Sequence, residues 1–253
     1  YAVEPGSMNS QTFGIARNLV IQLGREKRNP ALAERMLERL EAEVDANDEH
    51  RLSASLYGVC IDAWGKSGDA RAGEKAEALF EKMQARNDLD PERSPAANDV
   101  IYHNVMHAWA TSTNTHAPEK VKILLNQMNE KSNADPAVRP TESTYNLLIM
   151  AYANRIGEYG AAKAAEDVLY RLSELHTEGI RPDTRSFNLV LKAWANSMED
   201  MGPDRALEIL RLMIKLHQGG HDNVVPNEVS FSTVIHAFAI QGKVEEAEKV
   251  LHM

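Results

Sequence analysis

A pair of aromatic residues seven positions apart returns five times along this chain: Tyr57/Trp64, Tyr102/Trp109, Tyr145/Tyr152, Phe187/Trp194 and Phe231/Phe238. Successive copies begin 45, 43, 42 and 44 residues apart. A fixed period of this size means one supersecondary unit used over and over, which constrains the fold more than any local propensity. The second aromatic stands between alanines in four of the five copies, as in Ala108-Trp109-Ala110. A second pattern follows each time: AEALFEKM ending at Met83, VKILLNQM at Met128, AEDVLYRL at Leu172 and ALEILRLM at Met213. LAERMLERL, ending at Leu40, belongs to an earlier copy without the aromatic pair.

Both patterns have the period of an amphipathic helix. Tyr145, Leu148, Ile149, Tyr152 and Ala153 fall at i, i+3, i+4, i+7 and i+8, and Ala206, Ile209, Leu210 and Met213 form a similar stripe in the second pattern. Breaker-rich links separate them, among them Gly65-Lys66-Ser67-Gly68 and Gly179-Ile180-Arg181-Pro182-Asp183. No stretch alternates with period two long enough to demand a strand. Each copy therefore reads as a hairpin, helix A then helix B, that must stack on its neighbours to bury its apolar faces.

Composition narrows the class. The apolar share of 43% and charged share of 26% belong to a soluble folded chain. The single cysteine, Cys60, forms no internal bridge, pointing to a reducing compartment and away from Cys-based zinc modules. No apolar run approaches a membrane span. Residues 1–7 read as a tag remnant or disordered leader, with Gly6-Ser7-Met8 as a cloning scar. Residues 8–253 then read as a single array, a piece of a longer chain whose last repeat is cut short. Any targeting segment would lie outside this piece.

Copies four and five, TYNLLIMAYA…AAEDVLYRL…EGIRPD and SFNLVLKAWA…RALEILRLM…VVPN, open on Tyr/Phe-Asn and close on Pro-Asp or Pro-Asn. The last copy reads SFSTVIHAFAIQGKVEEAEKVL. These motifs resemble the pentatricopeptide-repeat (PPR) family in its P-type-like form. The resemblance covers roughly residues 50 to 253, and the extra length per unit here falls in both links. It implies an all-α, right-handed superhelical solenoid of about six helical hairpins, with the A helices lining the concave side. HEAT and armadillo repeats share the period but not these residues, and the tetratricopeptide signature is absent.

The resemblance also implies modular, sequence-selective binding of single-stranded RNA, one base per repeat, in organellar RNA processing, stability or translation. The full-length protein is then expected in a mitochondrion or plastid. In the family, the residue after the helix-A aromatic and the last residue of the repeat select the base. Those pairs here are Gly58 with Asn98, His103 with Thr141, Asn146 with Asp183, and Asn188 with Asn227, while Ser232 opens a pair whose partner would follow Met253. By the family's code, Asn146/Asp183 resembles a uridine reader and Asn188/Asn227 a pyrimidine reader, an expected order of 5′-uridine-pyrimidine-3′. The base-clamping column is Ser55, Val100, Ser143, Arg185 and Val229. Lys66 alone keeps the family's phosphate-facing lysine; Lys192, Arg185, Arg155 and Lys243 are the other candidate cations.

Other readings compete for the same residues. Ser53, Asn98, Thr141, Asp183 and Asn227 are all helix N-caps by type, so capping accounts for that column as well as base contact does. Trp64, Trp109 and Trp194, each beside small residues on the apolar face, are expected in the core. The His103/His107 and His217/His221 pairs lack a third ligand in sequence, and no metal or cofactor is expected. No phosphate loop or paired-carboxylate motif rises above composition, so an enzyme is not expected. The alternative function is a protein-interaction scaffold of the tetratricopeptide-like solenoid type, meeting partners on its convex face or long links.

Taken alone, the net charge of −9 argues against RNA, whose phosphates attract basic surfaces. Its distribution says otherwise. The six helix-A stretches carry a net +4 and the remainder −13. A groove lined by helix A is expected to be mildly positive inside an acidic exterior.

Overall fold

The computed structural model describes Gly6 and residues 8–26, 29–175 and 179–253. Tyr1 to Pro5 and Ser7, most of the segment read as a remnant, lie outside the described residues. Gly6 is tied down, its N–H donating to Glu43 Oε2 at 2.8 Å.

Twelve α-helices and no strand occur among the described residues. They run α1 (Ser10–Glu26), α2 (Pro30–Ala46), α3 (Ala54–Gly65), α4 (Ala72–Leu89), α5 (Asp99–Thr111) and α6 (Ala117–Ser132), then α7 (Glu142–Ala153), α8 (Ala161–Glu174), α9 (Thr184–Asn196), α10 (Gly202–Gln218), α11 (Glu228–Ile240) and α12 (Val244–Leu251). A 3-10 turn lies at Pro136–Val138. No described helix is long and apolar enough to cross a membrane.

Odd-numbered helices are the A helices of the sequence and even-numbered ones the B helices. The chain divides into two compact units, Tyr1–Arg139 and Pro140–Met253. Three hairpins make up each. Within the first, α3 packs on α1, α2 and α4, and α5 packs on α3, α4 and α6. Within the second, α9 packs on α7, α8 and α10, and α11 packs on α9, α10 and α12. Each interior A helix is thus surrounded by its own B helix, the preceding B helix and the A helices beside it. That is why helix A carries the broader apolar face.

The aromatic pairs sit at these junctions. Tyr57, Tyr102 and Phe238 are fully buried, and all three tryptophans are buried as expected. The first hairpin is less divergent than its sequence suggests. Phe13 stands 44 residues before Tyr57, is buried, and stacks on His50 with ring centroids 4.2 Å apart. Val20 fills the place of the second aromatic and is equally buried. The first copy therefore keeps half of the pair, hidden from the pattern by a β-branched residue of similar apolar function.

A polar contact recurs around the second aromatic. Trp64 Nε1 donates to Glu34 Oε2 at 3.0 Å, and Lys75 Nζ lies 5.3 Å over the same ring and 3.5 Å from Glu34. Lys120 Nζ lies 5.5 Å over Trp109 and 2.8 Å from Glu77. Trp194 Nε1 donates to Glu166 Oε2 at 2.9 Å, where Arg205 also donates through Nε at 3.1 Å. Lys243 lies 5.9 Å over Phe238 and 3.0 Å from Asp204. In each case the carboxylate comes from the preceding helix B and the cation from the repeat's own helix B or its N-cap. The cation lies over the ring at Trp64, Trp109 and Phe238, and at Trp194 it shares the carboxylate with the indole, so each cluster ties elements of two repeats together.

Close packing sets a second demand. A Cβ placed on Gly73 in α4 would stand 2.6 Å from the Trp109 ring. Gly73→Ala should therefore lower stability by about 1–3 kcal/mol through overpacking, measured by urea unfolding.

Glu166 is wholly buried. Burial, the largest influence, pushes its carboxyl upward, but the hydrogen bonds and charge of Arg205, aided by Tyr170 and Trp194, hold it below the ordinary range. Arg205→Met leaves that carboxylate buried without its counter-charge, a loss of about 3 kcal/mol in urea unfolding at neutral pH. A carboxyl depressed in the folded state stabilises above its unfolded value. The difference between the two proteins should therefore be full above about pH 4.3 and shrink as pH falls through the lowered folded value.

Candidate nucleic-acid interface

The closing column lies at the N-termini of the A helices, and three of its members cap with their side chains. Asn98 Oδ1 accepts from the Ile101 N–H at 3.1 Å, Asp183 Oδ1 from Ser186 at 2.8 Å, and Asn227 Oδ1 from Ser230 at 3.2 Å. At Thr141 the bond runs backwards, from its N–H to Thr144 Oγ1 at 3.1 Å. Ser53 shares its hydroxyl with Ser55 at 2.9 Å.

Capping leaves these residues free to do more. In the second unit the structure joins both pairs expected from sequence. Asn146 Nδ2 donates to Asp183 Oδ1, and Asn188 Nδ2 to Asn227 Oδ1, each at 3.3 Å. Two buried serines, Ser186 and Ser230, organise the pairs. Ser186 Oγ donates to Asp183 Oδ1 at 2.8 Å, whereas Ser230 Oγ donates to Asn188 Oδ1 at 2.7 Å. A hydroxyl has one proton to give. The Asp183 carboxylate takes that of Ser186, whereas Ser230 Oγ lies nearer Asn188 Oδ1, at 2.7 Å, than Asn227 Oδ1, at 3.2 Å.

The consequence is a difference in what remains for a ligand. Asp183 Oδ1 is filled by three donors, leaving Oδ2 as an open acceptor. Asn227 Oδ1 is likewise occupied, leaving the two N–H donors of Nδ2. Repeat four thus offers an acceptor and repeat five a donor. Asn146 is only 3% exposed, and its Oδ1 is buried without a partner, while Asn188 is half-buried and fully bonded.

The remaining candidates divide plainly. Gly58 is buried, and a Cβ there would stand 3.2 Å from Ile101 Cδ1, so the position is small because a neighbouring helix occupies its space. His103 is half-buried in the first unit, and Thr141 is exposed in the second. Ser232 is exposed, its hydroxyl donating to the Val229 carbonyl at 3.3 Å. The clamp column is uniform: Ser55, Val100, Ser143, Arg185 and Val229 are all exposed, the two valines at 55% each. Two valines held in solvent at the start of a helix are not explained by packing.

Among the cations, Lys66 is ion-paired with Asp62 on its own helix, and Lys243 is committed to Asp204. Arg155, expected at a solvated helix end, is buried. Arg185 is exposed, and Lys192 is exposed with its Nζ on Asn154 Oδ1 at 2.9 Å. The Cys60 thiol is buried and pushed up to about 12, by desolvation first and then by the charges of Glu34 and Glu41. It packs and is held protonated, unlike a nucleophile.

A cleft of about 500 Å³ opens between α9 and α11. Asp183, Arg185, Asn188, Lys192, Asn227 and Val229 line it together. Asn188 and Asn227, one of the expected pairs, thus share a single wall with Arg185, Val229 and Lys192. Sequence reasoning missed Ser186 and Ser230. Their signal was the small hydroxyl residue next to the helix-A aromatic, present as Thr144, Ser186 and Ser230 but replaced by Leu56 and Ile101 earlier.

The sequence profile of the PPR repeat matches residues 222–253, which hold α11, α12 and the link before them. Residues 222–253 thus form a pentatricopeptide repeat. The chain's earlier hairpins repeat the same helix pairing, although they fall outside that match. Two solved structures of the pentatricopeptide repeat protein PPR10 in complex with an 18-nucleotide psaJ RNA element are similar to it. One has 17% identity and a TM-score of 0.47 over 95% of this chain and 34% of PPR10. The other, with three cysteines replaced by serine, has 18% identity and a TM-score of 0.35 over 87% and 37%. The chain spans about a third of the length of those proteins. No curated protein matches it in sequence.

Ser230→Ala removes the only donor to Asn188 Oδ1 among the described residues. It should cost about 1 kcal/mol in urea unfolding. Ser230→Thr, which restores the hydroxyl, should recover most of that loss.

Proposed function

We propose that this chain binds single-stranded RNA along its A helices and reads bases through the pairs at their N-termini. What supports the reading is the cleft between α9 and α11, where Asn188 and Asn227 meet Arg185, Val229 and Lys192. Each part has a matching chemistry. The amides address a base edge, the valine and the guanidinium plane cover a base face, and the two cations suit flanking phosphates.

The open groups assign a preference. An acceptor at Asp183 Oδ2 suits the N3–H of uridine, and the donors of Asn227 suit the N3 and O2 acceptors of a pyrimidine such as cytidine. The proposed order is 5′-uridine-pyrimidine-3′ across repeats four and five, following the family's polarity. Residues 8–253 act as one array of binding hairpins, in an organelle and in transcript processing, stability or translation, binding rather than catalysing.

The electrostatics limit the affinity. Two available cations in the cleft correspond to two phosphate contacts, so the logarithm of affinity should fall with that of salt at a slope of about −1.4. A labelled uridine/cytidine-rich strand, titrated in fluorescence anisotropy against an adenosine-rich control, measures this. Asn188→Ala should weaken the pyrimidine strand about tenfold, the worth of one base-edge contact, at a stability cost of about 1 kcal/mol, like that of Ser230→Ala. Salt-independent binding, or equal binding of both strands, contradicts the reading.

A further inference from the structure

Met198 is the single non-glycine residue with a left-handed backbone among the described residues, at φ 56°. An L-residue pays strain there, and glycine would relieve it. The side chain so presented is not packed away: Met198 is 75% exposed. The Gly157 N–H donates to the Asn196 carbonyl at 2.9 Å, which sets the neighbouring exposed Ile156 beside it. Ile156, Met198 and Ile240 line one cleft of about 640 Å³. Tyr159, 89% exposed, and exposed Met201 line a second of about 550 Å³. Trp194 forms a wall of both.

Five large apolar side chains therefore stand in solvent around one indole, on the links that follow α7 and α9 and at the end of α11. This is the C-terminal end of α9, where Trp194 lies about 9 Å along the helix from Asn188. A contiguous apolar patch on a folded protein marks a contact surface, and methionines adapt such surfaces to a partner.

The surrounding charge selects the partner. Every cation lining the two clefts is already paired: Lys163 with Asp167, Arg205 with Glu166 and Glu208, Lys243 with Asp204. Among the described residues the exposed Glu158 and Asp200 carboxylates have no ion pair, and the Glu199 carboxylate accepts from the Gly160 N–H at 3.3 Å. The unbalanced charge is negative.

We propose that this face docks a basic, amphipathic helix of a protein partner, its apolar stripe over Trp194 and its lysines or arginines against Glu158, Glu199 and Asp200. The surface is separate from the RNA-reading cleft and does not depend on it. Its geometry accounts for the strained methionine, whose backbone conformation lifts the thioether into the cleft rather than into the core.

The test uses the chain with methyl-labelled methionines and three synthetic helices. One has a leucine face and a lysine face, one has the same composition scrambled, and one carries glutamate in place of lysine. The leucine/lysine helix should shift the Met198 and Met201 methyl signals saturably, and the other two should not. Met198→Glu with Ile240→Glu should weaken it about tenfold, as loss of a central anchor does. Met198→Gly should raise the unfolding midpoint yet weaken the helix several-fold, showing that the loss is not misfolding. Equal binding of the scrambled helix, or unchanged binding by the double variant, overturns the proposal. A concentration-dependent dimer abolished by the same variant, or single-stranded RNA shifting the same methyls, assigns the face to another occupant and overturns it equally.

Discussion

A helical hairpin with apolar faces on both helices can bury them only against another hairpin, and everything else in this chain follows from that demand. The junction is where one repeat specifies the next. There the second aromatic of helix A meets a carboxylate of the preceding helix B that also takes a cation of the repeat's own helix B, as at Glu34 with Trp64 and Lys75 and at Glu166 with Trp194 and Arg205. The apolar ring supplies the burial. The polar pair fixes orientation, because an indole N–H and a buried carboxylate each demand a specific partner. Trp109 illustrates the tolerance: its ring keeps the Lys120 contact, although its Nε1 finds no partner.

With the hairpins so fixed, the first turns of successive A helices lie side by side and their polar residues meet. The closing residue does two jobs at once. Asp183 and Asn227 cap a helix with Oδ1 and face the preceding asparagine with the same atom. The capping and base-contact readings of that column are therefore not rivals. A residue whose inner oxygen is saturated by the fold presents its outer group in one defined orientation, which is what selective recognition requires.

Periodicity made the fold legible. The seven-residue aromatic spacing located helix A in every copy from Tyr57 onward, and the Ala206–Met213 stripe located a B helix whose face is buried throughout. Phe13 escaped because its partner is Val20, which an aromatic pattern does not register. The polar contact around the tryptophans escaped because Glu34, Glu77 and Glu166 look like members of an ordinary charged helix face until the indoles are placed beside them. At the site, the pairs were legible by position but their states were not. Asn146 and Asn188 occupy equivalent columns, yet one is buried with an unmet oxygen and the other half-open. Met198 was illegible for a different reason, since backbone strain leaves no mark on composition or period.

The acidic total acquires a location. The cleft between α9 and α11 carries Arg185 and Lys192 against Asp183, whereas exposed carboxylates such as Glu158 and Asp200 lie on the links. A net charge of −9 is compatible with a base-reading groove that relies on contacts to base edges more than on phosphates. Selection from a fully randomised single-stranded RNA pool measures that claim most directly. The account predicts enrichment of a 5′-uridine-pyrimidine-3′ step, lost when Asn188 is replaced by alanine; a selected pool indistinguishable in sequence from the starting pool would contradict it.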